Sequence, residues 1–346
     1  MKRLLSALFI LCSFSQIYAQ KGVAFLTGGN LRTVFDVAKT QNKYVFLEAY
    51  APTCHVCNAF KPTFENAQVG NFYNQNFVSY KLDMTSAEAT AFLQKQKIYI
   101  PSTPTLLFFD KNVKLMHIAV MGEQFNTPQV LVDAASKALS PQNRSTAYKA
   151  SFLAGNRDNN FLIEYANFAR ITKDTAQNIA AMDAYFRQIP KKQLASNTSF
   201  LVLQKLVMSD ENGLFKYLIT HLTEFYGKFD KKDVNQAAEN ILMYSLYSSA
   251  GNRYSIAKVN EVKANLAKAG VNAQAIQGRV WMAEARAYFK AKQADKGIQV
   301  IESLLKTTKS TPSAKEYAFL CEFVKGLTSD KNALSKASAW CKSGGK

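Results

Sequence analysis

The sequence predicts an α/β domain over residues 20–140 followed by an all-α domain of helical hairpins over residues 141–346. Three observations carry that expectation. Strand-like and helix-like apolar patterns alternate through the first part. Six of the eight prolines lie at or before Pro141, and only Pro190 and Pro312 follow. A long stretch almost without proline, with apolar residues at helical spacing, reads as consecutive helices. Finally, Cys54 and Cys57 form a Cys-x-x-Cys pair that closes a strand-like run and opens a helical block. The chain has 346 residues, 48% apolar and 20% charged, long enough for two domains and unlike a disordered or collagen-like sequence.

Residues 1–19 read as a secretory signal. Lys2 and Arg3 precede an apolar run from Leu4 to Phe14, and small Ala19 marks the cleavage point, leaving Gln20 first. The run is too short to span a bilayer, so no transmembrane segment is expected in the mature chain. A lipoprotein signal retaining Cys12 is the alternative, but Leu11 stands where that processing needs a small residue. The expected location is therefore periplasmic or extracellular.

In the α/β part, Tyr44–Tyr50, Phe77–Asp83, Thr105–Phe109 and Lys114–Val120 read as strands because β-branched and aromatic residues dominate them. Helical blocks are expected at 30–40, 54–64, 87–96 and 128–139, so that strands alternate with helices before a hairpin and a closing helix. In the second part, Phe161–Phe168 and Ile179–Phe186 carry helical periodicity. Ala283–Phe289, a polar turn at Lys292–Lys296 and Gly297–Leu305 form a unit with small and aromatic residues where two helices would press together.

The net charge of +18 is uneven. Residues 20–140 hold 11 basic and 8 acidic residues, whereas 141–346 hold 30 basic and 17 acidic. Scattered lysines without interleaved aromatics read as the solvated faces of amphipathic helices, and export argues against nucleic acid as a partner.

Residues three apart at a helix start bring both sulfurs of Cys54 and Cys57 within bonding reach. The first sulfur also sits at the positive end of the helix, where thiolate, the nucleophile of disulfide exchange, is favoured. A zinc site would need two further ligands; no second CxxC, CxxH or HxxH is present, and His117 and His221 lie in apolar periodic segments without ligand spacing. No metal or other cofactor is expected. Cys321 and Cys341 fall on the last two helical blocks, either side of a turn near Gly326–Asp330. Export permits a structural disulfide between them, with two buried thiols as the alternative.

With these residues in view, 20–140 resembles the thioredoxin-like family, of the exported type, and the second part is weakly similar to tetratricopeptide-type repeats. The first likeness rests on Tyr44-Val-Phe-Leu-Glu-Ala-Tyr-Ala-Pro-Thr-Cys54, on Pro62 five residues after Cys57, on Thr103-Pro104-Thr105-Leu-Leu-Phe-Phe109, and on Gly122 near a family glycine of the following strand. It implies a buried acid at Glu48, a helix kink at Pro62, and a cis peptide at Thr103–Pro104 facing the cysteines and docking substrate backbone. Apolar neighbours on both sides of Glu48 argue against a surface position on an edge strand. Two departures matter: Thr53 replaces the usual tryptophan, and His55-Val56 replaces Gly-Pro. His55 could tune the Cys54 thiolate when protonated or be a solvated helix-start residue, and both readings stay open.

The function expected is exported thiol–disulfide exchange with protein thiols or disulfides and a redox partner. Cys54 would be the nucleophile, Cys57 the resolving thiol, Glu48 the proton carrier, and Thr103 with Pro104 the docking element. The alternative is a partner-binding helical scaffold whose CxxC disulfide is structural. The helical domain would serve partner docking or dimerisation.

Overall fold

Strand β1 (Tyr44–Tyr50) buries five consecutive residues, Val45 to Ala49, which requires a central place in a sheet covered on both faces. In the computed structural model, which describes residues 22–307 and 311–344, it has that place. It runs parallel to β2 (Phe77–Asp83) and antiparallel to β3 (Thr105–Phe109), which in turn pairs antiparallel with β4 (Leu115–Val120), giving the order β2-β1-β3-β4. The expected signal segment lies outside the described residues.

Helices α1 (Leu31–Gln41), α2 (His55–Phe64), α4 (Ala87–Gln96) and α5 (Pro128–Leu139) fall where the periodicity put them. Their starts follow capping chemistry. Asn30 forms a capping box with Thr33, Ser86 accepts from Ala89 N, and Thr127 accepts from Val130 N ahead of Pro128. The last of these also illustrates proline at a first helical position, where its missing N–H leaves no bond unmade.

One helix was not anticipated. α3 (Ala67–Asn76) is rich in Asn and contains Gly70, so propensity and periodicity both obscure it. Packing explains its presence: Val69 and Tyr73 are buried, and the Tyr73 hydroxyl donates to Leu131 O at 2.8 Å. Gly70 lies against the Gly22 backbone, where a Cβ would come within 2.3 Å of Gly22 O. A short parallel bridge between Phe25 and Ser79, at the β2 edge, was likewise not expected. The aromatic centre of the domain is Phe46, whose ring lies 4.8 Å from Tyr73 and 5.3 Å from Phe108. Each such ring withdrawn from water contributes about 2 to 3 kcal/mol before the cost of ordering it.

The chain divides into two compact units between Tyr148 and Lys149, beyond the expected domain end at Ser140. His117 on β4 explains why residues 141–148 stay with the sheet. Its Nδ1 accepts from Ser145 N at 3.0 Å and lies 2.6 Å from Ser145 Oγ, and Thr146 Oγ1 donates to Met116 O at 3.1 Å. This buried histidine is a core residue. Gly122 lies two residues past the end of β4 and precedes a 3-10 turn at Glu123–Phe125.

Past α6 (Tyr148–Leu153), the described residues of the second unit form helices joined by turns and loops. They include α7 (Asn159–Ile171), α8 (Thr175–Phe186), α9 (Asn197–Lys205), α10 (Gly213–Thr220) and α11 (Leu222–Tyr226). There follow α12 (Lys231–Leu246), α13 (Ile256–Lys268), α14 (Ala273–Lys290), α15 (Ala294–Thr307), α16 (Ala314–Lys325) and α17 (Lys331–Gly344). α14 and α15 form the hairpin read from the sequence, with Gly297 seated against the Phe289 ring so closely that a Cβ would meet ring atoms at 2.8 Å. Phe289, Ile298, Ile301, Leu320 and Val324, with Ala333 and Ala337, make one core shared by α14 through α17.

Candidate redox site

The site is assembled at the end of the central strand. β1 delivers the chain to a turn in which Cys54 N donates to Ala51 O at 3.0 Å, and Cys54 becomes the N-cap of α2. Cys57 N donates to Cys54 Sγ at 3.1 Å, taking one of the amides that every helix start leaves free. The two cysteines form a disulfide, with their Cα atoms 5.3 Å apart. Cys54 is half-buried, whereas Cys57 is only 5% exposed. An incoming sulfur therefore has better access to Cys54, and the helix terminus would stabilise negative charge there on reduction.

The Thr103–Pro104 peptide is cis, and Thr103 O stands 3.4 Å from Cys54 Sγ. A disulfide sulfur carries no proton, so this contact becomes a hydrogen bond only when Cys54 is a thiol. Pro104 is buried and its carbonyl accepts from Met121 N at 3.0 Å, which ties the loop to the end of β4. Among the described residues no hydrogen bond uses the Thr103 N–H. A proline next to it adds no competing donor, so the backbone beside the sulfurs is open to an extended segment.

Glu48 lies on β1, between both neighbouring strands, and is 1% exposed. Its register partner on β2 is Lys81, whose Nζ reaches Glu48 Oε2 at 3.4 Å without the alignment of a full hydrogen bond. The same ammonium lies 4.8 Å from the centre of the Phe25 ring. Burial pushes the Glu48 carboxyl above the usual carboxylate range; the charge of Lys81, and more weakly that of Lys61, pull it back. A carboxyl so placed can hold a proton that a surface glutamate would have lost.

His55 is largely exposed, and its Nε2 stands 3.8 Å from Glu123 Oε2, an ion pair only when the imidazole is protonated. Glu123 was not singled out in the sequence, because a single acidic residue before a short turn carries no local signal. Asn126 was missed for the same reason. Its Nδ2 donates to Ala59 O at 2.8 Å and its Oδ1 accepts from Thr63 Oγ1, joining that turn to α2. Pro62, inside α2, cannot return a bond to the Asn58 carbonyl, and the Asn126 bond reinforces the neighbouring turn of helix.

The other cysteine pair lies in the second unit. Cys321 on α16 and Cys341 on α17 are joined by a disulfide with Cα atoms 5.2 Å apart. His221 is an exposed residue stacked on Tyr217, with ring centres 4.0 Å apart. A cluster of Asp210, Glu211 and Glu261 has the spacing of cation ligands. It is filled by Lys258, whose ammonium lies 3.0 Å from Asp210 Oδ2 and 3.1 Å from Glu261 Oε1 and also contacts Glu211. Desolvation acts to depress the Lys258 ammonium, but these carboxylates outweigh it and hold its pKa above the usual lysine value. This network supplies its own cation. No helix among the described residues is long and apolar enough to cross a membrane.

Parts of the chain are similar to known proteins. Residues 30–131 match the thioredoxin family model. A stretch of 50 residues is 42% identical to Spermatogenesis-associated protein 20 of Rattus norvegicus, covering 14% of this chain and 6% of that protein. Among solved structures, a proposed disulphide-isomerase from Bacteroides thetaiotaomicron shares 22% identity over 35% of this chain and 95% of its own, with a TM-score of 0.30. The N-terminal unit is a thioredoxin-like domain bearing a CxxC disulfide, followed by an α-helical domain.

Proposed function

We propose that this chain is an exported thiol–disulfide oxidoreductase that exchanges disulfides with protein substrates through Cys54 and Cys57. The observation that carries the reading is the disulfide at the start of α2, its more accessible sulfur beside a cis Thr103–Pro104 peptide. In the reducing direction the Cys54 thiolate attacks a substrate disulfide, forming a mixed disulfide and releasing one substrate thiolate. Glu48, as carboxylate, then takes the proton of Cys57. The Cys57 thiolate attacks Cys54 Sγ, restoring the Cys54–Cys57 disulfide and releasing the second substrate thiolate. A dithiol redox partner returns two electrons to begin another cycle, and the same steps in reverse oxidise a substrate dithiol.

Trapping tests this directly. The full mature chain carrying Cys57→Ser is expected to accumulate mixed disulfides through Cys54 with oxidised or scrambled disulfide-bonded protein substrates, visible on non-reducing gels and lost on adding a dithiol. Wild-type chain equilibrated against glutathione buffers should give a measurable Cys54/Cys57 potential. A disulfide that stays oxidised across the whole buffer range, with no trapped species, would leave the pair as a structural staple and end the exchange reading.

A further inference from the structure

Helices α12, α14 and α16 carry a run of aromatic and cationic side chains that disulfide exchange does not use. Arg170 of α7 donates to the Tyr244 hydroxyl of α12 at 3.0 Å and lies over that ring at 5.1 Å. Tyr247, three residues further and so on the same helical side, donates through its hydroxyl to the Arg279 carbonyl of α14. Arg286, two helical turns along from Arg279, lies over the Phe323 ring of α16 at 5.8 Å, and Phe323 stacks on Phe319 with ring centres 6.1 Å apart. These contacts link α7 to α12, α12 to α14 and α14 to α16. Tyr244, Tyr247 and Phe319 are nevertheless 37%, 42% and 49% exposed, among the largest apolar surfaces the unit leaves uncovered.

The charges along this run are unbalanced. Arg286 donates to Asn252 Oδ1 at 2.7 Å, and Lys290, one turn on, donates to Asn252 O at 2.8 Å. With Arg170 bonded to a tyrosine hydroxyl, all three cations are bonded to neutral oxygens, and among the described residues none is paired with a carboxylate. Neighbours differ: Arg279 pairs with Glu239 at 2.9 Å and Lys263 with Glu284 at 2.8 Å. The run therefore joins exposed rings to cations that have no carboxylate partner among the described residues. Tyrosine, phenylalanine and arginine are enriched in protein interfaces, and tyrosine and arginine among the residues that dominate binding energy.

We propose that this surface docks an acidic, partly apolar polypeptide segment. Its carboxylates meet Arg170, Arg286 and Lys290, and its apolar side chains cover Tyr244, Tyr247 and Phe319. A nucleic acid or an anionic membrane would be met by a denser row of cations than one on α7 and two on α14. The choice of a polypeptide over other anions also rests on the proposed exchange function, in which partners are proteins; the charge and aromatic pattern does not.

The test uses the full mature chain, both wild type and with Cys54→Ser and Cys57→Ser, and fluorescence anisotropy. The probes are a short labelled peptide alternating Glu with Leu and Phe, the same peptide with Gln for Glu, an oligo-dT strand, and phosphatidylserine vesicles. The Glu peptide should bind both forms equally and at least about tenfold more tightly than the Gln peptide, with a steep salt dependence. Arg170→Gln with Arg286→Gln should weaken it by roughly tenfold or more, the paired Lys replacements should restore part of the loss, and dithiol exchange should be unchanged. Equal binding of the two peptides, tighter binding of oligo-dT or of vesicles, or full affinity in the double Gln variant would overturn the proposal. Loss of exchange activity with peptide binding intact would strike the redox reading and leave this one standing.

Discussion

The two disulfides share one bond type and differ in everything around it. Cys54 and Cys57 are three residues apart at a helix start, with one sulfur half-buried and set against amide and carbonyl groups. Cys321 and Cys341 are 20 residues apart on two packed helices, and Cys321 is buried. A short loop gains little from cross-linking, whereas closing about twenty residues restricts the unfolded chain by roughly 3 kcal/mol. Surroundings decide which bond reacts and which one braces.

The sharpest way to break that contrast is a paired substitution. Cys54→Ser is expected to abolish reduction of a protein disulfide such as insulin while changing the unfolding midpoint little. Cys321→Ser with Cys341→Ser should leave the reduction rate intact and lower the stability of the helical unit by about 3 kcal/mol in denaturant titration. If the second pair instead controlled the rate, or the first controlled stability, the assignment of roles would be reversed.

Glu48 is expected to give a smaller effect. Because burial raises its folded-state pKa, the native domain holds the Glu48 proton more tightly than the unfolded chain does. The stabilisation is complete below the unfolded carboxyl value and is lost as pH rises through the folded value. Glu48→Gln should therefore flatten the fall in stability across that window and leave the variant at least as stable as wild type above it. Its resolution step should slow by about a hundredfold where proton transfer limits it, measured as decay of the mixed disulfide. Parallel stability profiles with an unchanged decay would remove Glu48 from both roles.

The sequence made the first unit largely legible because its information is local. An aromatic and β-branched run announces β1, apolar residues at helical spacing announce α1, α4 and α5, and the CxxC spacing announces the site. What escaped depends on contacts distant in sequence. α3 forms because Gly70 and Tyr73 fit Gly22 and Leu131, not because its own residues favour a helix. Residues 141–148 join the sheet through Ser145 and His117, which no periodicity reveals. Lys81 beside Glu48 follows from a strand register, and Lys258 among three carboxylates follows from helix packing. The arginine and tyrosine run across α12 and α14 was hidden in an excess of basic residues that reads as ordinary solvated surface until the contacts are seen.

The smallest expected effect belongs to His55 and Glu123, and it sharpens the contrast between the two disulfides because an imidazole adjoins Cys54, whereas Cys321 has the Glu322 carboxylate beside it. Both side chains are more than two-thirds exposed, at 79% and 71%, so water and salt screen their interaction. A protonated imidazole next to Cys54 would stabilise its thiolate, favouring the reduced pair and raising the potential. His55→Ala should then lower the Cys54/Cys57 potential by no more than about 20 mV, with the larger difference in acidic buffer, where an imidazole carries charge. Glu123→Gln should move it less still, since it acts only through the histidine. The potential of Cys321/Cys341 should not respond to either change. A His55→Ala shift that is the same in acidic and alkaline buffer would show that charge on the imidazole is not its cause and would leave His55 as a solvated helix-start residue.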